Sequence, residues 1–220
     1  MGWIGLFVLV VIVCMSMGIS IRASEEKGYE MPLNCKKVQC ASYEVIDSQK
    51  EYEIREYKKA MWVSALPINS SSYEDGAYKG FNILFSYIQG NNEEAAQLNM
   101  TAPVFVGIIP SKDPLSNSTF VVNFLLPNNY QKNPPPSTLA HPVELPKQNY
   151  AAVRRFGGFI SDNEIPLQVL ALEKSLNGTK WESSIVKKSN GNAMTYTIAG
   201  YNSPFDKENR VNEIIFWFDK

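Results

Sequence analysis

Two amphipathic segments of this chain carry one pattern, 88 residues apart. Ala77, Phe81, Leu84 and Ile88 stand at i, i+4, i+7 and i+11, and Gly90 follows where a helix can end in the left-handed conformation. Ile165, Val169, Leu172 and Leu176 repeat the stripe, and Gly178 repeats the stop. The spacing predicts helices over Ser72 to Gly90 and from Asp162 or Asn163 to Gly178, the second with Pro166 in its first turn. Strands are predicted before each helix, Met61 to Leu66 and Tyr150 to Phe156. Two more are predicted after each: Val104 to Ile109 with Phe120 to Leu126, and Ser184 to Lys188 with Met194 to Ala199.

A strand-helix-strand-strand unit present twice is a duplication in which neither copy buries its helix face alone. The two sheets must join into one curved antiparallel surface carrying both helices. Tyr52 to Tyr57 and Glu213 to Phe218 extend that surface. The class is α+β, with pseudo-repeats over about 50–130 and 140–218. Lys132-Asn133-Pro134-Pro135-Pro136 links them, because proline offers no N–H to a ladder. A chain of 220 residues suits one such domain. A formal charge of −1 and a pI near 5.9 exclude a phosphate backbone as partner.

No charge interrupts Trp3 to Ile21, and Ile4 to Val13 has the length of a signal-peptide apolar region. Residues 1–23 therefore read as a secretory signal, with small residues Gly18, Ser20 or Ala23 near the cut. The alternative is an uncleaved anchor, since no Lys or Arg precedes the apolar run. The expected location is extracellular or lumenal, with no stable membrane span once the signal is removed. Cys14 leaves with that segment. Cys35 and Cys40 remain in an N-terminal arm, 24–41, either as a disulfide closing a small loop or as two free thiols. Asn69, Asn99, Asn117 and Asn177 open glycosylation sequons, with Asn117 in the most polar setting.

Projected at 100° per residue, the first helix is apolar over about twice the ~100° that one sheet requires. Tyr78 and Phe85 extend the stripe on one flank, Ile83 and Tyr87 on the other. Asp75, Lys79, Asn82, Ser86 and Gln89 form the polar sector. The surplus calls for a cover: a loop such as Leu125 to Pro136, a protein partner, or a flat apolar ligand.

Asn99-Met100-Thr101-Ala102-Pro103-Val104 follows the first helix, which ends Tyr87-Ile88-Gln89-Gly90-Asn91. Tyr52-Glu53-Ile54-Arg55-Glu56-Tyr57 stands before it, and Asn202-Ser203-Pro204-Phe205 and Asn212-Glu213 after it. Together they make the chain, from about Ser42 to Phe218, resemble the SOUL/haem-binding protein family. The resemblance implies one domain over 42–220, a distorted antiparallel β-barrel flanked by two α-helices. It also implies non-covalent binding of haem or another tetrapyrrole in a shallow apolar groove beside the first helix. Carried onto this chain, the groove uses Tyr78, Phe81 and Phe85 of the helix and Phe205 of the loop Asn202 to Arg210. Lys79, Lys207 and Arg210 are then the candidates to pair with propionates. The chain departs from the family at Phe81, where methionine or another non-aromatic apolar residue is common. Asp206-Lys207-Glu208 is also less basic than the family's usual late loop.

Iron in haem is usually ligated by His, Cys, Met or Tyr. The one histidine, His141, follows the proline-rich connector, and Met100 lies in a turn where packing is its expected role. Binding without a strong axial ligand is expected. No Ser-His-Asp set, glycine-rich phosphate loop or metal-spaced cluster points to catalysis. Glu53, Glu56, Glu144 and Glu213 read as solvated or ion-paired strand residues. Of Arg154 and Arg155, alternation turns one outward and leaves the other free to meet a strand carboxylate. The reading is a non-enzymatic tetrapyrrole carrier, buffer or sensor. The alternative is a protein of the same fold that uses the groove for a protein partner.

Overall fold

The computed structural model describes residues 28–111, 117–186 and 195–219. The first half contributes β1 (Tyr43–Ser48), β2 (Glu53–Tyr57), β3 (Ala60–Ala65), β4 (Ile68–Ser70), α1 (Tyr73–Ile88), β5 (Val104–Ile109) and β6 (Ser118–Leu125). The second contributes β7 (Ala140–Leu145), β8 (Tyr150–Phe156), α2 (Glu164–Leu176), α3 (Glu182–Val186), β9 (Tyr196–Gly200) and β10 (Asn212–Phe218). Nine strands form one antiparallel sheet in the order β1-β2-β8-β10-β9-β5-β6-β3-β7, and β4 pairs with β6. Exchange β2 with β7, β3 with β8, β5 with β9 and β6 with β10, and the order from β2 to β7 reads the same backwards. The duplication is therefore a pseudo-twofold whose axis passes between β5 and β9.

Two features correct the expected element list. The second unit closes with β9 and β10, so β10 belongs to the repeat, and β7 is the counterpart of β2. Ser184 to Lys188 is not a strand: Ser184, Ile185 and Val186 lie in α3, and Lys187, Lys188 and Met194 fall outside the described residues. Trp181 and Ile185 decide the outcome. They stand four apart, one helical turn, and both are buried, with the Trp181 ring 6.1 Å from that of Phe218, so one face of the short helix packs on β10.

The sheet curls into a half-barrel. Tyr57 of β2 and Phe105 of β5 are four strand steps apart, ~19 Å on a flat sheet, yet their ring centroids are 6.3 Å apart. Alternation sorts each strand between two apolar layers: in β10, Ile214, Phe216 and Phe218 face the helix side, and Ile215 and Trp217 face the inside of the curl. Inside it, Trp62 stacks on Phe105 at 4.4 Å.

Helix α1 sits unusually close to β6 because its sheet-facing line begins with two glycines. A Cβ on Gly76 would lie 2.5 Å from Phe120, and one on Gly80 would lie 2.4 Å from Val122. The stripe that meets the sheet is Gly76, Gly80, Leu84, Tyr87 and Ile88. Ala77 and Phe81, expected in that stripe, are rotated off it and half-buried. Gly80→Ala is expected to lower stability by about 1–3 kcal/mol through overpacking, although alanine is the better helix former by about 1 kcal/mol. Val122→Ala in the same chain should recover part of that loss, and urea midpoints of the single and double variants check both.

The helix is capped across the duplication. Ser72 Oγ accepts from Asp75 N–H at 3.3 Å and donates to Asp162 Oδ2 at 2.7 Å, while Tyr73 N–H donates to Asp162 Oδ1 at 2.6 Å. Gly90 and Gly178 end the two helices at φ +104° and +73°, as the sequence predicts.

The Cys35–Cys40 disulfide is formed. Its arm is laid against the domain: Ala41 N–H donates to Ala102 O at 3.1 Å and Ala102 N–H to Gln39 O at 2.9 Å. The expected signal over residues 1–23 lies outside the described residues, among which no helix is long and apolar enough to cross a membrane. Asn69, Asn99, Asn117 and Asn177 are all exposed.

Candidate ligand-binding cleft

One flank of α1 is covered by the chain itself. Tyr87 is buried and its hydroxyl donates to Pro135 O of the interrepeat connector at 2.8 Å. Burial pushes that phenol up to about 12, so it remains a donor at physiological pH. The opposite flank borders an open cleft of about 780 Å³. Tyr78 is 68% exposed and Phe85 42% exposed there, so neither lies beneath polypeptide. Phe81 stacks on Phe85 at 5.6 Å and meets Phe124 edge-on at 5.3 Å, which makes a continuous aromatic wall.

The facing wall is the loop Asn202 to Arg210, which projects Phe205 at 87% exposure. Loops this polar hold shape through local bonds. Asn202 Oδ1 accepts from Val211 N–H at 2.8 Å, and Arg210 Nη1 donates to Ser203 O and Asp206 O at 2.8 and 2.7 Å. The Arg210 guanidinium also lies over the Phe159 ring at 4.5 Å. The floor is Met100 to Ala102, Val104 and Val106, and the outer edge is the arm, through Asn34, Lys37 and Val38.

Tyr78, Phe81, Phe85, Phe205 and Arg210 thus share one cleft. Lys79 and Lys207 are not among its lining. Lys79 pairs with Asp75 at 2.7 Å on the helix surface. Arg210 is at the cleft and donates through Nη1 to its own loop's carbonyls. The sequence reading missed the arm, and the signal for it was present: Cys35 and Cys40 promised a fixed loop, though nothing local said where it would dock. Met100 lines the cleft, whereas exposed His141 lies on β7 beside a different hollow that includes Ser64, Phe105 and Trp217.

Residues 38–217 match the family model described as SOUL heme-binding protein. The chain belongs to the SOUL heme-binding protein family. Heme-binding protein 2 of Mus musculus is 34% identical over 193 residues, covering 87% of each chain. Heme-binding protein 2 of Homo sapiens is 35% identical over 166 residues, 74% of this chain and 76% of its own. Among solved structures, SAV2435 bound to tetraphenylphosphonium aligns with TM-score 0.46 and 12% identity over 77% of this chain and 94% of its own.

The residues that carried the SOUL resemblance mostly serve the fold. Glu53, Arg55 and Glu213 are fully buried on the inner face of the curl. Arg55 Nε donates to Glu53 Oε2 at 2.7 Å, and its two Nη atoms form a fork on Glu213 at 2.9 and 3.0 Å. Arg155 donates to Glu213 Oε1 at 2.7 and 3.1 Å, Tyr201 OH to Glu213 Oε2 at 3.0 Å, and Arg55 Nη1 to Tyr57 OH at 3.1 Å. Tyr29 N–H donates to the remaining Glu53 oxygen. Arg155 is thus the member of its pair that meets a strand carboxylate, while Arg154 reaches Gln168 and Glu51 at the surface. Burial pushes the Glu213 carboxyl upward, but Arg55 and Arg155 outweigh it and hold the group below the ordinary glutamate value. Burial likewise acts against the Arg55 charge and is overcome chiefly by Glu213. In the Met-Thr-Ala-Pro-Val segment, Thr101 Oγ1 donates to Leu125 O at 2.7 Å and Ala102 bridges to Cys40.

Proposed function

We propose that the cleft beside α1 binds haem or a related tetrapyrrole non-covalently, and that the protein acts as a carrier, buffer or sensor without turning the ligand over. The supporting observation is an open aromatic wall of Tyr78, Phe81 and Phe85 facing Phe205 across about 780 Å³, in a chain of the SOUL family. A flat macrocycle gains most from such walls by burying both faces, at roughly 25 cal/mol per Å² of apolar surface. Met100 and Tyr78 are residues at the cleft with chemistry suited to iron, and no histidine joins them among the described residues. The aromatic walls, not a metal bond, then supply the affinity.

Hemin titration of the purified chain, followed in the Soret band, tests the reading. Saturable binding near one equivalent is expected. Metal-free protoporphyrin should bind within about tenfold of hemin, since one strong axial bond would contribute more than ~1.4 kcal/mol. No shift at any ratio would abandon the ligand reading and favour the cleft as a seat for a protein partner. A far stronger preference for the iron form would instead establish an axial ligand.

A further inference from the structure

We infer that the N-terminal arm is a wall of the binding site and that Lys37 selects an acidic tetrapyrrole over a neutral one. This rests on the reading of the cleft as a tetrapyrrole site. Lys37 lies on the cleft with Asn34 and Val38, and it precedes the family match, which begins at residue 38.

The arm is held at several points. Asn34 Nδ2 donates to Tyr201 O at 2.6 Å, at the root of the late loop. Gln39 Oε1 accepts from Asn128 N–H at 3.0 Å, and Cys40 bridges to Ala102 on the cleft floor. Between these ties, Lys37 sits inside the ring closed by Cys35–Cys40, with its own N–H donated to Asn34 O at 2.9 Å. Its backbone is pinned while its side chain is exposed at the rim.

Of the other cations near the site, Lys79 is paired with Asp75, and Arg210 donates through Nη1 to Ser203 O and Asp206 O. Lys37 has no ion pair among the described residues. An ammonium is a compact, strongly hydrated charge, suited to a carboxylate that stays wet at the rim while the ring inserts between aromatic walls. The ligand it favours is a planar apolar macrocycle with carboxylates on one edge.

The test uses the chain with its arm intact and two probes, protoporphyrin and its dimethyl ester, with tryptophan quenching as readout. The wild type should prefer the diacid by about three- to fivefold, the scale of an exposed ion pair. Lys37→Gln should erase that preference without weakening the ester, and Lys37→Arg should keep it. Cys35→Ser with Cys40→Ser should reduce it by freeing the arm. Equal loss on both probes, or no change with Lys37→Gln, would overturn the selection while leaving the tetrapyrrole reading intact. Failure of the wild type to bind either probe would overturn both.

Discussion

Arg55→Met is expected to destabilise the protein by about 3–5 kcal/mol, because it leaves two carboxylates buried beside an apolar side chain. Glu53 loses its one cationic partner among the described residues, and Glu213 keeps only Arg155. The pH dependence should also change sign. In the wild type, Glu213 is held below the ordinary glutamate value, so its contribution is present above about pH 4.3 and fades as pH falls through its lower folded value. Without Arg55, burial is no longer outweighed and the same carboxyl should rise above the ordinary value. The variant then gains stability on acidification from pH 8 to 5, where the wild type is flat. Urea midpoints at the two pH values check this. A variant as stable as the parent at pH 8 would show that the buried cluster contributes nothing net.

Phe85→Asp is expected to reduce hemin affinity at least about 30-fold, an effect of ~2 kcal/mol from lost apolar contact and a carboxylate set against the macrocycle. Because Phe85 is 42% exposed and its main neighbour is Phe81, the cost to folding should stay under about 1 kcal/mol. Leu167→Asp is the control, since Leu167 is equally apolar, 61% exposed and on the other helix. It should leave the titration unchanged. Thermal melts of both variants separate folding from binding, and an undiminished Soret titration with Phe85→Asp would remove the aromatic wall from the proposed site.

Much of this architecture is legible in the chain because periodicity encodes it. The 88-residue offset predicts both helices, both terminal glycines and most strands. The surplus apolar arc of α1 is also real, but it serves two purposes: Tyr87 is covered by the connector, while Tyr78 and Phe85 border the cleft. What escaped were features set by partners distant in sequence. Gly76 and Gly80 look like helix weaknesses until Phe120 and Val122 are seen pressed against them. The strand β7 hides because Pro142 interrupts its run and the strand lies at the sheet edge, where a missing N–H is tolerated. Glu53 and Glu213, 160 residues apart, meet only because the sheet brings β2 and β10 to either side of β8. The arm that carries Lys37 docks through Asn34 on Tyr201 and Gln39 on Asn128, contacts that spacing along the chain does not encode.

The pseudo-twofold has a bearing on how such a receptacle is put together. The aromatic helix comes from the first copy and its opposing loop, Gly200 to Arg210, from the second, so the pocket is assembled across the join. A half-length polypeptide stopping at the proline connector would present one jaw of a clamp, and would have to borrow the other from a twin.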